Sequence, residues 1–167
     1  PDPETVTDWD NERTFRVTSY NGDAREYAYK VVKSEIESDG DVELKTTEEV
    51  ASFAATKTTV VKGNLIIGSD AEEAEKITDI SALASLKEVT GNIVIRNSYN
   101  GADLTGLENI VSAGGLQVGS ADVASKATEL HMISMKALET LSGDISVYND
   151  QVTYVLFEKL ATIGGSV

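Results

Sequence analysis

The chain has 167 residues, 41% of them hydrophobic and 25% charged, with two prolines, a composition typical of a folded globular protein with a real core. Its net charge of −14 repels phosphate backbones and argues against nucleic acid as a partner. The lack of cysteine excludes disulfides, thiolate metal sites and thiol nucleophiles, and no apolar run approaches the roughly 20 residues that a membrane-spanning helix needs.

Residues 1–38 predict a β-hairpin, because apolar residues alternate with polar ones on both sides of an Asn-Gly pair. A three-residue loop would pair Val17 with Tyr27 and Phe15 with Tyr29, which keeps one face apolar. Since an isolated hairpin is marginally stable in water, it either docks on the rest of the chain or is the end of a sandwich domain.

Residues 39–60 predict a cap made of a short strand and a short helix. Val42 and Leu44 alternate as a strand, and the Thr-x-x-Glu pattern that begins at Thr46 fits a capping box. Val50 and Phe53 then follow at helical spacing. A helix with one apolar face can close the first turn of a repeat structure.

Residues 61–167 contain internal repeats of leucine-rich type. Each copy places apolar residues three apart, then a glycine, then two apolar residues that alternate with polar ones. The copies are Leu83-x-x-Leu86-x-x-Val89-x-Gly91-x-Ile93-x-Ile95, Met135-x-x-Leu138-x-x-Leu141-x-Gly143-x-Ile145-x-Val147, and Phe157-x-x-Leu160-x-x-Ile163-x-Gly165-x-Val167. Leu104-x-x-Leu107-x-x-Ile110 begins a further copy with two extra residues before Gly114, and Val61-x-Gly63 opens the series.

This repeat predicts a leucine-rich, right-handed β-solenoid with short helices, in which one strand per repeat points its apolar pair inward. The glycine two residues before each pair suits a corner without room for a Cβ. A polar residue follows each strand, and a row of such residues can bond corner backbone groups, which predicts a structural ladder. The ladder residues are Ser69, Asn97, Ser120 and Asn149.

Both ends of the chain suggest a part of a longer protein. The sequence begins at Pro1 without an initiator methionine or a signal-peptide pattern. The last repeat stops at Val167, where the inward residue two places later is missing. We therefore expect a processed or truncated chain, and an open C-terminal edge that favours self-association.

From Asp41 onward the residues resemble a known family. The runs 41–44, 46–53, 62–67 and 77–95 are similar to the receptor-L-domain-like leucine-rich repeat surface proteins of Bacteroidetes. Residues 15–32 resemble the closing hairpin of bacterial Ig-like or cadherin-like domains. The resemblance implies an exported surface interaction protein, often a lipoprotein, without catalytic activity. The lipidation cysteine of such proteins does not occur here, so any anchor lies outside the sequence.

No residue pattern indicates catalysis, a metal site or a cofactor. His131 lies between Leu130 and Met132, which are expected to face inward, so the imidazole should point to solvent. The acidic run around Asp70 resembles no calcium loop, although carboxylates can collect calcium. No pair of carboxylates is singled out for glycoside hydrolysis.

If a binding surface exists, the outward side of the strands is the candidate, because repeat proteins offer a broad regular face. Arg96 and Tyr148 lead, since both residue types are enriched where interfaces carry energy. The other candidates are Gln117, Ser146, Ile66 and Val94. The N-terminal hairpin is an alternative cover for the last two.

The predicted function is a non-catalytic secreted or cell-surface adhesion module that binds a protein or a glycan. One alternative is a structural spacer of a larger envelope protein, which would show an evenly polar surface. A carbohydrate-active enzyme, the remaining alternative, would need two facing carboxylates in a concave pocket.

Overall fold

The computed structural model describes residues 13–29, 35–122 and 129–167. The chain divides into two compact units between residues 34 and 35. Strands make up most of the regular structure in both units, so the predicted mainly-β class is confirmed. The finer division with boundaries after residues 38 and 60 stays a prediction.

The first unit contains an antiparallel hairpin whose register differs from the predicted one. Phe15 pairs with Tyr27 and Val17 with Arg25, so the predicted three-residue loop is wrong. The loop comprises residues 19–23 and is closed by a 2.7 Å backbone hydrogen bond between its first and last residues. Because the register shifts by two residues, the same side chains still share a face. The strands are β1 (Arg13–Thr18) and β2 (Ala24–Tyr29).

The second unit is built on an eight-stranded parallel sheet in which neighbouring strands come from successive repeats. Its strands are β3 (Val42–Leu44), β4 (Val60–Val61), β5 (Leu65–Ile67), β6 (Glu88–Ile95), β7 (Ser112–Val118), β9 (Thr140–Leu141), β10 (Ile145–Val147) and β12 (Thr162–Ile163). The spatial order β12-β9-β7-β6-β5-β3 runs along the sheet, with β10 beside β7 and β4 beside β6.

Each repeat contributes two extended segments to this sheet, one on either side of its glycine. The segment after the glycine was predicted. The segment before it, which holds Val61, Val89 and Leu141, was not, although these residues were recognised as apolar positions. The extended segments of β6 and β7 run through the glycine, with an irregular register after Val89.

The repeat with two extra residues pairs differently from the sequence alignment. Ala113, not Ile110, lies opposite Val89 in the sheet. Val111 instead bonds to the preceding repeat, where its N–H donates to the Lys87 carbonyl at 2.8 Å. Ile110 is nevertheless fully buried, so the insertion adds core volume before the strand begins.

A second, two-stranded parallel sheet lies later in the same repeats. It consists of β8 (Met132–Ser134) and β11 (Tyr154–Leu156), and an isolated parallel bridge joins Ile77 to Tyr99. Within β8 the buried residue is Ile133, whereas Met132 is half-buried. The expectation that Met132 faces inward is therefore wrong.

The helix α1 (Thr47–Ala55) begins at the predicted capping box. The Thr46 side chain accepts a hydrogen bond from the Glu49 N–H (3.1 Å), and the Glu49 carboxylate accepts one from the Thr46 N–H (3.2 Å). Val50 is buried on the apolar face of the helix. A turn of 3₁₀ helix (Ser81–Leu83) lies in the following repeat.

The core fills the space enclosed by these repeats, and most of the framed apolar positions lie in it. The apolar pairs of β5 and β6 are fully buried, as are Leu86, Leu107 and Leu138, whereas Leu160 of the last repeat is only partly buried. Three of the predicted apolar positions are exposed: Val147 (38%), Ile163 (38%) and Val167 (89%). The strand of Val147 has only β7 as a described strand neighbour, so one side of Val147 lacks packing.

Candidate ligand-binding face

The outward side of the parallel strands forms one regular surface, which we call the outer face. In a strand, successive side chains point to opposite sides, so the residues between the buried pairs point outward. The registers align these residues across repeats into three rows. The rows are Asp41, Asn64, Asn92, Gly115 and Asp144; Glu43, Ile66, Val94, Gln117 and Ser146; and Lys45, Gly68, Arg96, Gly119 and Tyr148.

The middle row contains four of the predicted site residues. Ile66 pairs with Val94, Val94 with Gln117, and Gln117 with Ser146. All four are half-buried. The row therefore changes along the sheet from an apolar end to a polar end.

In the third row, residues with large side chains alternate with glycines. Gly68 and Gly119 adopt φ of +89° and +76°, in the left-handed region that favours glycine. Arg96 lies between them and forms an ion pair with Asp70 at 2.5 Å. Tyr148 is 48% exposed. Both predicted interface anchors thus lie on the same row and side, separated by a glycine.

The first row is a hydrogen-bonded ladder that sequence reasoning missed. The Asn64 N–H donates to the Asp41 carboxylate (2.7 Å), and the Asn92 N–H donates to the Asn64 side-chain oxygen (2.8 Å). Ser166 N–H continues the pattern to Asp144 (2.6 Å). The bonds from Asn64 hold the pKa of Asp41 below its usual value. The available signal was the repeated Gly-Asn pair at 63–64 and 91–92.

A shallow cleft, which we call the cleft at Gly115, lies where this row passes from Asn92 to Asp144; Gly115 itself is buried and does not line it. Its volume is about 320 Å³. Polar side chains dominate its lining, and neither lysine nor arginine contributes to it. The lining residues are Asn92, Leu116, Gln117, Gly143, Asp144 and Ser146.

The predicted polar ladder lies at the far end of the strands. Ser69, Ser120 and Asn149 each accept a hydrogen bond from the backbone N–H two residues later, at 3.2, 3.3 and 2.9 Å. Asn97 is 3% exposed, and its carboxamide has no partner within the described part of the chain. The bonds found are therefore local turn bonds, and the ladder between repeats stays a prediction.

The histidine and the acidic run of the chain make only simple contacts. His131 is exposed, with Nδ1 3.2 Å from the Gln151 carbonyl oxygen. In the acidic run, Asp70 pairs with Arg96, and Glu75 accepts a hydrogen bond from the Thr47 N–H at 2.9 Å. Over residues 13–29, 35–122 and 129–167, no three histidine or acidic side chains come together as a metal site. None of the described helices is long and apolar enough to cross a membrane.

A protein-family match covers the part of the chain that contains the strands β5, β6 and β7. Residues 57–124 match the receptor L domain family. The resemblance to receptor L domains is therefore confirmed, and this family consists of ligand-binding, non-catalytic modules. Neither the curated proteins nor the solved structures gave a match to this chain. The matched segment 57–124 contains the centre of the outer face, including Ile66, Val94, Arg96 and Gln117.

Proposed function

We propose that this protein is a non-catalytic adhesion or interaction module of the cell surface or extracellular space. It binds a protein or a glycan through the outer face. The observation that carries the proposal is the alignment of the predicted site residues on one side of a regular parallel sheet, within or beside the matched segment 57–124.

The proposal includes a finer description of the fold. The parallel pairing of successive repeats and their buried apolar pairs support a right-handed leucine-rich β-solenoid over residues 61–167. Residues 39–60 act as its cap, and residues 1–38 are a hairpin or the remnant of an Ig-like domain. Lipid anchoring, if used, is supplied outside this sequence.

The anchors of the face have defined roles in this proposal. Arg96 is oriented by Asp70, which reduces the entropy it would lose on binding. Tyr148 offers a large aromatic surface at low conformational cost. Gln117 and Ser146 supply hydrogen bonds, and Ile66 and Val94 supply apolar contact.

The test is a binding screen against purified extracellular proteins and immobilised glycans, read by surface plasmon resonance. Arg96→Ala and Tyr148→Ala should each weaken a specific interaction at least about fivefold, as expected for interface anchors. Lys87→Ala is the matched control, because Lys87 is exposed but outside the three rows. If no member of either panel binds, the spacer alternative replaces this proposal.

A further inference from the structure

The ladder of the outer face lacks one acceptor. In three of its steps, the backbone N–H of one repeat donates to the side-chain oxygen of the preceding repeat, at 2.6 to 2.8 Å. The residue before Asp144 in this row is Gly115, which has no side chain to offer. Among the described residues no acceptor faces the Asp144 N–H.

Asp144, which carries this free donor, also lines the cleft at Gly115. Asn92 and Asp144 flank the glycine within the first row, while Gln117 and Ser146 lie beside them in the middle row. The Gln117 amide nitrogen already donates to the Gly119 carbonyl at 3.0 Å, which leaves its oxygen as an acceptor for a ligand. The cleft thus presents donors and acceptors side by side.

The chemistry of the cleft narrows the class of ligand. Its lining contains the Asp144 carboxylate and no cation, so an anionic ligand would meet repulsion without compensation. An extended peptide that adds a strand needs a free sheet edge, whereas β7 is paired on both sides. Hydroxyl groups, which donate and accept together, satisfy such a lining best.

An aromatic residue, Tyr148, follows the cleft residue Ser146 along the chain. Tyr148 follows Ser146 by two residues, so both side chains leave the same side of the strand. Its 48% exposure leaves the ring accessible as a platform for the C–H face of a sugar ring. Tyrosine combines this apolar surface with a hydroxyl that can bond to the ligand.

We propose that the cleft at Gly115 binds a neutral saccharide, with one hydroxyl oxygen accepting from the Asp144 N–H where a side-chain oxygen stands in the other repeats. Asn92, Gln117 and Ser146 bond neighbouring hydroxyls, and Tyr148 stacks against the ring. This inference rests on the proposed function and specifies the ligand class of its outer face.

The experiment uses a panel of immobilised neutral and acidic oligosaccharides and the full chain. The wild-type protein should bind neutral members, and Gly115→Asn should weaken that binding at least about tenfold, because its carboxamide would accept the Asp144 N–H hydrogen bond that the saccharide needs. A Cβ at Gly115 would lie 2.8 Å from the Asn92 side-chain oxygen and 3.0 Å from the Asp144 carbonyl oxygen. Urea unfolding therefore checks that this variant is folded.

Gln117→Ala is the second variant, since it shortens a half-buried side chain without adding atoms. It should weaken the binding of the same neutral oligosaccharides, whereas Lys87→Ala should not. Binding of neutral members that neither Gly115→Asn nor Gln117→Ala alters would overturn the inference, as would the absence of any neutral member among the bound glycans. A protein ligand that depends on Arg96 while no saccharide binds would refute the saccharide and leave the proposed function standing.

Discussion

Ile93 and Val94 are neighbours in the chain but lie on opposite sides of the sheet. Ile93 is fully buried between the strands of adjacent repeats, whereas Val94 is half-buried on the outer face. Since the side-chain period of a strand is two residues, this difference reports the register directly.

Ile93→Ala should lower the free energy of unfolding by about 2 to 5 kcal/mol, because it leaves a cavity in the core. Val94→Ala should lower it by less than about 1 kcal/mol, because Val94 lies on the outer face and is only partly buried. Urea unfolding of both variants and the parent gives the comparison. A larger loss for Val94→Ala would mean that the register is wrong and that every outer-face residue points inward.

Asn97 and Asn149 occupy equivalent positions but differ in their hydrogen bonds. From the sequence, Asn97→Ala is expected to cost about 1 to 3 kcal/mol through loss of a corner hydrogen bond. In the structure that bond belongs to Asn149, whose side-chain oxygen accepts from the Gln151 N–H at 2.9 Å, while the Asn97 carboxamide is buried without a described partner.

Asn149→Ala should therefore cost about 1 to 3 kcal/mol, and Asn97→Ala should cost less, since truncation there removes an unsatisfied polar group. Thermal and urea unfolding of the two variants measure the order. Equal losses, or a larger loss at Asn97, would support the ladder that the sequence predicts.

At the scale of the element, glycines at corresponding positions allow the backbones of successive repeats to lie close together. A Cβ placed on Gly91 would lie 2.7 Å from the carbonyl carbon of Gly63, and one on Gly114 would lie 2.6 Å from the carbonyl oxygen of Gly91. Gly91 and Gly114 lie inside β6 and β7, not at the predicted corners, and the lack of a Cβ allows the backbones of successive repeats to approach closely. The same close approach brings the next residue within reach of the neighbouring repeat and so makes the first-row ladder possible.

Gly91→Ala should destabilise the protein by about 2 kcal/mol or more, because the new methyl group meets backbone atoms that cannot move away without breaking the sheet. Thr90→Ala is the control, since Thr90 is exposed and adjacent, and it should change stability by less than about 0.5 kcal/mol. Chemical unfolding of both variants tests the claim. Comparable small losses would show that the repeats can separate to admit a side chain.

The strands after the glycines and the capped helix could be predicted because local signals fix them. Alternation identified Ile93 and Ile95 as inward, and the capping pattern at Thr46 located the start of α1. The pairing of Ala113 with Val89 could not be predicted, since Ile110 fits the apolar pattern equally well and only the backbone bonds decide. The cleft at Gly115 was missed because its lining residues come from three repeats, which only the strand register brings together.

At the scale of the molecule, the parallel sheet of the second unit has its outer face in the middle and free strand edges beyond it. Strands such as β6 and β7 are paired on both sides, which makes their face a rigid platform. Rigid elements hold binding groups more accurately than loops do. Free edges, in contrast, present unpaired N–H and C=O groups that can pair with another chain.

We predict that the protein self-associates through the edge formed by β11 and β12, as the sequence suggested for the C-terminal repeat. Each of these strands has one neighbour among the described strands, and Val155 and Ile163 expose 47% and 38% of their surface there. Sedimentation velocity over a concentration series should show reversible association, because exposed apolar residues on an unpaired edge are a template for a second copy. Ile163→Lys should abolish it.

Val111→Lys is the matched control, since Val111 is also 38% exposed but its backbone is bonded on both sides, to Lys87 and to Glu139. A chain that stays monomeric at all concentrations, or an association that Val111→Lys disrupts and Ile163→Lys does not, would contradict the prediction.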